Sequence, residues 1–116
     1  MVDRGIDRNH NDLSANLHSL SFDAQNGTSP SRFIDTDPPY YYHGTHVAGI
    51  VGAIRNNNLQ VVGVAPEAQI IGVSHDLYIS TTFSAELATG ITWARQNGAD
   101  VIIPFINSFQ PKQNKV

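Results

Sequence analysis

Hydrophobic residues along this chain form short blocks separated by polar stretches that are rich in Gly, Pro and Asn. Residues 47–54 carry apolar side chains on nearly every face of a helix, which predicts a helix that is buried all round. Two short β-branched runs, 61–64 and 70–73, suit strands that are covered on both faces, as in a parallel sheet. Apolar residues then recur at helical spacing over 83–94, and 101–103 start another buried strand. This alternation of strands and helices predicts an α/β fold with crossover helices.

The turn residues add boundaries to these elements. Asn56-Asn57-Asn58 end the first predicted helix, because asparagine tolerates the left-handed turn of a helix terminus. Gly98 closes the second helix in the same way. Residues 19–42 are mainly polar and are interrupted by one glycine and three prolines, which predicts a long surface loop.

Composition excludes several classes of protein. The 116 residues suit one globular domain, and a hydrophobic share of 41% argues against wholesale disorder. A net charge of −3 with scattered Lys and Arg offers no basic stripe, so we expect no nucleic-acid partner. No apolar run approaches the ~20 residues that cross a bilayer, so we expect no membrane partner. The absence of cysteine excludes disulfides, thiolate nucleophiles and Cys-type zinc sites.

Two residues carry the candidate chemistry. His43 stands where a polar loop enters the first predicted helix, and an imidazole there could act as a general base near neutral pH. The alternative is a helix-capping histidine without chemistry. Asp3 ends an incipient strand just before Gly5, where a carboxylate could orient an imidazole and stabilise its protonated form. The alternative for Asp3 is an ordinary turn aspartate.

Together the motifs resemble the subtilisin-like serine proteases, the subtilases. The most specific block is His-Gly-Thr-His-Val-Ala-Gly, whose first histidine is the catalytic base of the family. Five blocks occur in the family's order: residues 3–7, 9–13, 43–49, 63–66 and 93–102. The resemblance implies a subtilisin-like three-layer α/β fold with a mainly parallel sheet, incomplete in this chain. It also implies that Asp3 orients His43, which would deprotonate a serine that attacks a peptide carbonyl.

The chain departs from the family after Ile102. The family's nucleophile stands in a Gly-Thr-Ser-Met-Ala block, and the 116 residues contain no such block. Pro104 is also disfavoured inside a central strand, since it removes a ladder hydrogen bond. We therefore expect residues 1–102 to be the N-terminal part of a subtilisin-like peptidase domain and 103–116 to be a divergent tail.

The functional expectation follows from that division. It is a serine-type endopeptidase present as a fragment without the nucleophile serine and the oxyanion asparagine, and therefore inactive alone. Its partner would be a protein or peptide substrate, and its full-length form would be secreted or located at the cell envelope. The alternative is a non-catalytic pseudoenzyme or remnant that binds peptide or protein through a half-cleft.

The resemblance implies two further sites. Subtilases often hold calcium with an aspartate after the first triad member and an Asn-rich loop after the histidine helix, which here gives Asp12 with Asn56 and Asn57. A plain Asn turn that caps a helix is the alternative. Ser80, Thr81 and Thr82 fall where the family runs an edge strand that pairs with substrate backbone, although a polar loop would explain them nearly as well.

Four other side chains complete the expectations. Arg4 replaces the usual hydroxyl residue beside the aspartate, so its guanidinium could compete with His43 for that carboxylate. His46 is expected to be structural, since the second histidine of the block is not catalytic in the family. His75 is expected at the surface or in a cap, and Trp93 in the core.

Overall fold

The computed structural model describes residues 1–34, 42–59 and 61–104. Its elements are β1 (Val2–Asp3), a 3-10 turn (Ser14–Asn16), β2 (Leu17–Asp23), α1 (His43–Gly52), β3 (Ile70–Ser74) and α2 (Phe83–Gln96). Within these ranges, neither helix has the length and apolar character that a bilayer crossing requires.

The three strands form one parallel sheet in the order β1-β3-β2. The register aligns Asp3 and Asp23 with Ser74, so the carboxyl ends of all three strands lie at one level. In open α/β sheets, ligands bind just outside the carboxyl ends of the strands. The topology therefore places two aspartates at the edge where a site is expected.

Each face of the sheet has its own hydrophobic cluster. Side chains alternate along a strand, so Val73 faces α2 while Ile70 faces α1. The cluster on the α2 side is buried around Val2, Phe22, Ala24, Val73, Leu77, Leu87 and Ala94. The cluster on the α1 side contains Met1, Ile6, Leu13, Ala48 and Ile70. This helix–sheet–helix arrangement confirms the predicted α/β architecture.

The second predicted helix agrees with the structure. α2 ends at Gln96, and Gly98 follows with a φ of +92°, a backbone conformation that glycine adopts without steric cost. Trp93 packs against the α2-side cluster and stacks on Phe22, with ring centroids 4.9 Å apart and planes 8° from parallel. Trp93 is thus partly buried and packs on the core, in agreement with the prediction.

The predicted strand over 61–64 is absent, which corrects the sequence analysis. The N–H groups of Gly63 and Val64 donate to the carbonyls of Ala53 and Ile50 at the end of α1, so this segment caps a helix. Its side chains are exposed, with Val64 at 88%. Ile50 on α1 is itself 57% exposed, so the prediction of a helix buried all round was also wrong. Asn56 and Asn58 do adopt the predicted left-handed conformation, with φ of 61° and 59°.

The predicted loop over 19–42 was partly wrong, because β2 runs through residues 17–23. The strand escaped detection because some of its buried positions are polar: Ser21 accepts a hydrogen bond from the N–H of Ser31, and Asp23 is fully buried. Residues 101–103 form no strand either. The chain here forms an isolated parallel bridge between Val2 and Pro104, in which the N–H of Val2 donates to the carbonyl of Ile103 at 2.9 Å.

Candidate active site

The carboxylate of Asp3 is fixed at the carboxyl end of β1. Its side chain is fully buried, and Oδ1 accepts the backbone N–H of Arg4 at 2.6 Å. Its own carbonyl accepts the N–H of His75, which follows β3, at 3.0 Å. Strand pairing and the N–H of His75 fix the backbone of Asp3, and the N–H of Arg4 holds its carboxylate.

His43 opens α1 and meets that carboxylate. Its Nδ1 lies 2.9 Å from each carboxylate oxygen of Asp3, across 40 residues of sequence. Because an ionised carboxylate only accepts hydrogen bonds, Nδ1 carries the proton and Nε2 keeps its lone pair. That tautomer is the one a general base requires. The side chain of His43 is 22% exposed, so the imidazole can be reached from outside.

The electrostatics of the pair are set by burial. Desolvation raises the pKa of the Asp3 carboxyl above its ordinary value of 3.8. The hydrogen bond from His43 and the N–H of Arg4 act in the opposite direction and lower this pKa. Burial thus destabilises the charged form of Asp3, and the hydrogen bonds from His43 and Arg4 partly offset that effect, an arrangement suited to a carboxylate that orients a histidine.

Two glycines allow strand β1 and helix α1 to approach this closely. A Cβ on Gly44 would lie 2.1 Å from the carbonyl oxygen of Gly5 and 3.2 Å from Oδ1 of Asp3. Gly5 also has a φ of +100°, which side-chain-bearing residues rarely adopt. Thr45 fixes the same junction, because its hydroxyl oxygen accepts the N–H of Asp7 at 2.9 Å.

Arg4 lies beside the pair and is 1% exposed. Its guanidinium donates to the carbonyl of Asp76 at 2.9 Å and lies over the ring of Tyr78, 5.5 Å from its centroid. Both oxygens of Asp3 meanwhile remain at hydrogen-bond distance from His43. The predicted competition for the carboxylate thus leaves the Asp3–His43 contact intact.

His75 is 1% exposed, so its expected position at the surface or in a cap was wrong. Its ring packs edge-on against Phe83, and both nitrogens have partners, Glu86 at 2.7 Å and the N–H of Leu77 at 2.8 Å. This pair could not be predicted from the sequence, because a single histidine after a strand has no recognisable pattern.

A second buried carboxylate was also missed. Asp23 ends β2 and accepts the backbone N–H groups of Gln25 and Asn26 at 3.0 and 3.2 Å. Arg32 forms an ion pair with it, and the Gln25 side chain bridges to Asp76 at 2.9 Å. The sequence Asp-Ala-Gln-Asn-Gly at 23–27 was the available signal, since such a carboxylate caps a tight turn.

The predicted calcium ligands are brought partly together. Asp12 is 5% exposed, and its Oδ1 accepts the side-chain amide of Asn57 at 2.6 Å. Asn56 precedes Asn57 in the left-handed turn. A carboxylate and amide oxygens fit calcium in kind, but within 1–34, 42–59 and 61–104 no three His, Cys, Asp or Glu side chains converge as metal ligands do.

Ser80, Thr81 and Thr82 are exposed and form a turn that leads into α2. The edge strand expected there is absent, since Thr82 is the N-cap of the helix and its N–H bonds to the Ser80 hydroxyl at 3.3 Å. A groove of about 550 Å³ runs beside α1 and is lined by His46, Ile50 and Val62, among others. Asp3 and His43 are not among its lining residues.

Comparison with known proteins now gives these features a context. A model described as the subtilase family matches residues 1–113. The chain belongs to the subtilase family. Thermitase from Thermoactinomyces vulgaris is 37% identical over 103 residues, which cover 88% of this chain and 34% of thermitase. Subtilisin E from Bacillus subtilis (strain 168) is 35% identical over 109 residues, which cover 88% of this chain and 24% of that protein.

A solved structure agrees with the subtilase assignment. The crystal structure of the Aeromonas sobria serine protease and chaperone complex superposes with a TM-score of 0.58 and 31% sequence identity. The match covers 78% of this chain and 14% of that one. The matched part of this subtilase chain therefore spans only 14% to 34% of the length of these relatives. The family match runs to residue 113, and the boundary between 102 and 103 stays a prediction.

Proposed function

We propose that this chain supplies the aspartate and histidine of a serine-type endopeptidase. The observation that carries the proposal is the contact between His43 Nδ1 and the buried Asp3 carboxylate, 2.9 Å to each oxygen. Membership of the subtilase family supports the same assignment. The serine and the oxyanion-stabilising asparagine would come from residues outside these 116, so the chain by itself would not hydrolyse peptides.

In the proposed reaction, Nε2 of His43 accepts the proton of the attacking serine hydroxyl. Asp3 holds the ring in the required tautomer and stabilises the imidazolium that forms. The imidazolium then donates its proton to the leaving amine, so that one histidine serves as base and then as acid. The low exposure of Asp3 favours this role, because a desolvated carboxylate interacts more strongly with a positive charge.

Three further assignments belong to the same proposal. Ser80, Thr81 and Thr82 would bind the backbone of an extended peptide, and their exposed positions support this. Asp12 and Asn57, with Asn56, would hold a calcium ion that stabilises the turn after α1 when bound. Secretion or location at the cell envelope is compatible with family membership.

The calcium assignment has its own test. If Asp12 is a ligand, millimolar calcium raises the Tm of the wild-type chain relative to EDTA, and Asp12→Asn abolishes that increase. An equal Tm in calcium and EDTA would assign Asp12 and Asn57 to a simple turn.

The test of catalysis is a chimera in which residues 1–102 replace the matching segment of subtilisin E. We expect it to hydrolyse peptides and to react with a fluorophosphonate probe at its serine. His43→Ala should lower kcat by about 10³-fold or more, since a general base contributes about 10²–10⁴-fold. His46→Ala is the matched control: it removes an exposed histidine from the same helix and should leave kcat within about twofold.

The outcomes separate the alternatives. A folded chimera that neither cleaves peptide nor reacts with the probe would contradict the assignment of His43 as the base. Equal losses in His43→Ala and His46→Ala would do the same. Fluorophosphonate labelling of the 116-residue chain alone would overturn the expectation that it lacks a nucleophile.

A further inference from the structure

The buried histidine behind the candidate pair is part of a continuous series of contacts. The backbone N–H of His75 donates to the carbonyl of Asp3 at 3.0 Å. At the other end of the residue, ring atom Nε2 lies 2.7 Å from Oε2 of Glu86. His75 therefore joins the end of β1, where Asp3 lies, to the first turn of α2.

Glu86 extends the series to the turn that precedes α2. Its second carboxylate oxygen, Oε1, accepts the hydroxyl of Thr82 at 2.9 Å. The Thr82 hydroxyl oxygen in turn lies 3.2 Å from the hydroxyl of Ser80. The two carboxylate oxygens of Glu86 thus bind different partners: Oε2 contacts the buried ring of His75, and Oε1 contacts Thr82 in the exposed segment 80–82.

The ring of His75 is held in a single state by its surroundings. Nδ1 accepts the N–H of Leu77 at 2.8 Å, so the proton resides on Nε2 and is donated to the Glu86 carboxylate. Leu77 is fully buried and has a φ of +63°, an uncommon conformation that persists only where neighbours enforce it. The ring thereby fixes both the turn after β3 and the start of α2.

We propose that His75 and Glu86 are positioning residues that hold segment 80–82 in place relative to the Asp3–His43 pair, for substrates that extend along that segment. The proposal rests on the proposed function, in which 80–82 binds peptide backbone. The two residues touch neither substrate nor the reacting atoms. Their effect would therefore appear with extended peptides and not with substrates too short to reach the segment.

The kinetic test uses the subtilisin E chimera with two substrates, an extended peptide amide and a single-residue ester. Glu86→Ala should raise KM for the extended peptide by about tenfold, the order expected when a hydrogen bond to a charged group is lost. The kcat for that peptide and both constants for the ester should stay within about twofold. Glu86→Gln should restore part of the loss, since its amide oxygen can still accept the Nε2–H.

The matched control is Glu67→Ala. Glu67 is 72% exposed and pairs with Arg55 on the surface, so its removal deletes a carboxylate without touching the series. Equal changes in KM for the peptide and the ester after Glu86→Ala would indicate a general loss of structure and overturn the proposal. The same change in Glu67→Ala would overturn it too.

A spectroscopic measurement on the 116-residue chain tests the pair without any catalysis. Imidazole ¹⁵N shifts should report the Nε2–H tautomer of His75, and Glu86→Gln should move the amide signal of Thr82 while Glu67→Gln does not. An Nδ1–H tautomer, or a solvent-exposed His75 ring, would overturn the proposal. If instead the wild-type chimera is inactive while these signals are as expected, the proposed function fails and the structural pair stands.

Discussion

The two faces of the sheet are covered from solvent to different degrees. On the α2 side, the cluster around Phe22 and Val73 is closed by a 14-residue helix and a stacked tryptophan. On the α1 side, the helix buries only one flank, and Ile50, Val61, Val62 and Val64 remain 57% to 88% exposed. The α2 face therefore has the larger buried cluster, whereas the α1 face carries His43 and exposes several large apolar side chains.

Because of this difference, the two residues of the candidate site are positioned by parts of the molecule that are packed unequally. Asp3 takes its position from the central strand β3 and from His75, whose ring contacts Phe83 and Glu86 of α2 on the closed side. His43 takes its position from α1, whose outer flank is open. The hydrogen bond between His43 and Asp3 forms where the two sides meet. A substitution on either face is therefore expected to affect this pair.

The largest effect is expected from Phe22→Ala on the closed face. Phe22 is 7% exposed and loses its stack on Trp93, so the free energy of unfolding should fall by about 3–5 kcal/mol in urea denaturation. Ile50→Ala on the open face should cost less than about 1 kcal/mol. Similar losses in the two variants would mean that the faces do not differ in packing.

The next prediction compares the two flanks of α1 by replacing a glycine with alanine on each, at Gly44 and at Gly49. Gly44→Ala forces a Cβ against the backbone of Gly5 and should cost about 2–3 kcal/mol or more. Gly49→Ala meets nothing within 4 Å and should stabilise the chain by about 0.5–1 kcal/mol, because alanine favours helix. Thermal unfolding of both variants provides the comparison, and a stable Gly44→Ala would contradict the observed approach of α1 to β1.

A third pair compares one residue type on the two faces. Val73→Ala removes two buried carbon atoms and should cost about 2 kcal/mol, since a buried CH₂ is worth about 0.8 kcal/mol before the cavity term. Val64→Ala at 88% exposure should change the free energy of unfolding by less than about 0.5 kcal/mol. A large loss in Val64→Ala would indicate that the open face is covered in solution, for instance by self-association.

The smallest effect concerns pH. Because the native pKa of Asp3 is raised, the folded chain binds this proton more tightly than the unfolded chain does. The free energy of unfolding should therefore fall as pH rises from about 3.8 through the native pKa of Asp3. Asp3→Asn should remove this dependence, and Asp100→Asn, at an exposed position, should retain it. A pH dependence of opposite sign in urea titrations would exclude burial as the dominant cause.

The parts of the molecule that were predicted correctly are those whose sequence signal lies within one short segment. His43, Gly44 and Thr45 belong to one contiguous block, and α2 has apolar spacing and a terminal Gly98 within its own length. β2 was missed because its inward Ser21 and Asp23 are satisfied by Ser31 and Arg32 of the segment that follows, so no hydrophobic alternation remains.

The other errors arise from tertiary partners. Residues 61–64 have the composition of a strand, yet their N–H groups bond to the end of α1. Glu86 lies 11 residues from His75 and becomes its partner only because α2 folds back on β3. Periodicity cannot reveal a contact that depends on where two elements dock.

The strand order also determines when contacts can form during synthesis of the chain. Among the described strands, β1 pairs with β3, and the amino group of Met1 donates to the carbonyl of Ile71 across 70 residues of sequence. At roughly 5–20 residues per second, the ribosome would need about 4–14 seconds to supply the partner. During that interval the carboxylate of Asp3 is hydrated, and the block that contains His43 has emerged without a sheet to dock on. The Asp3–His43 pair can therefore reach its observed geometry only after the residues up to β3 have been synthesised.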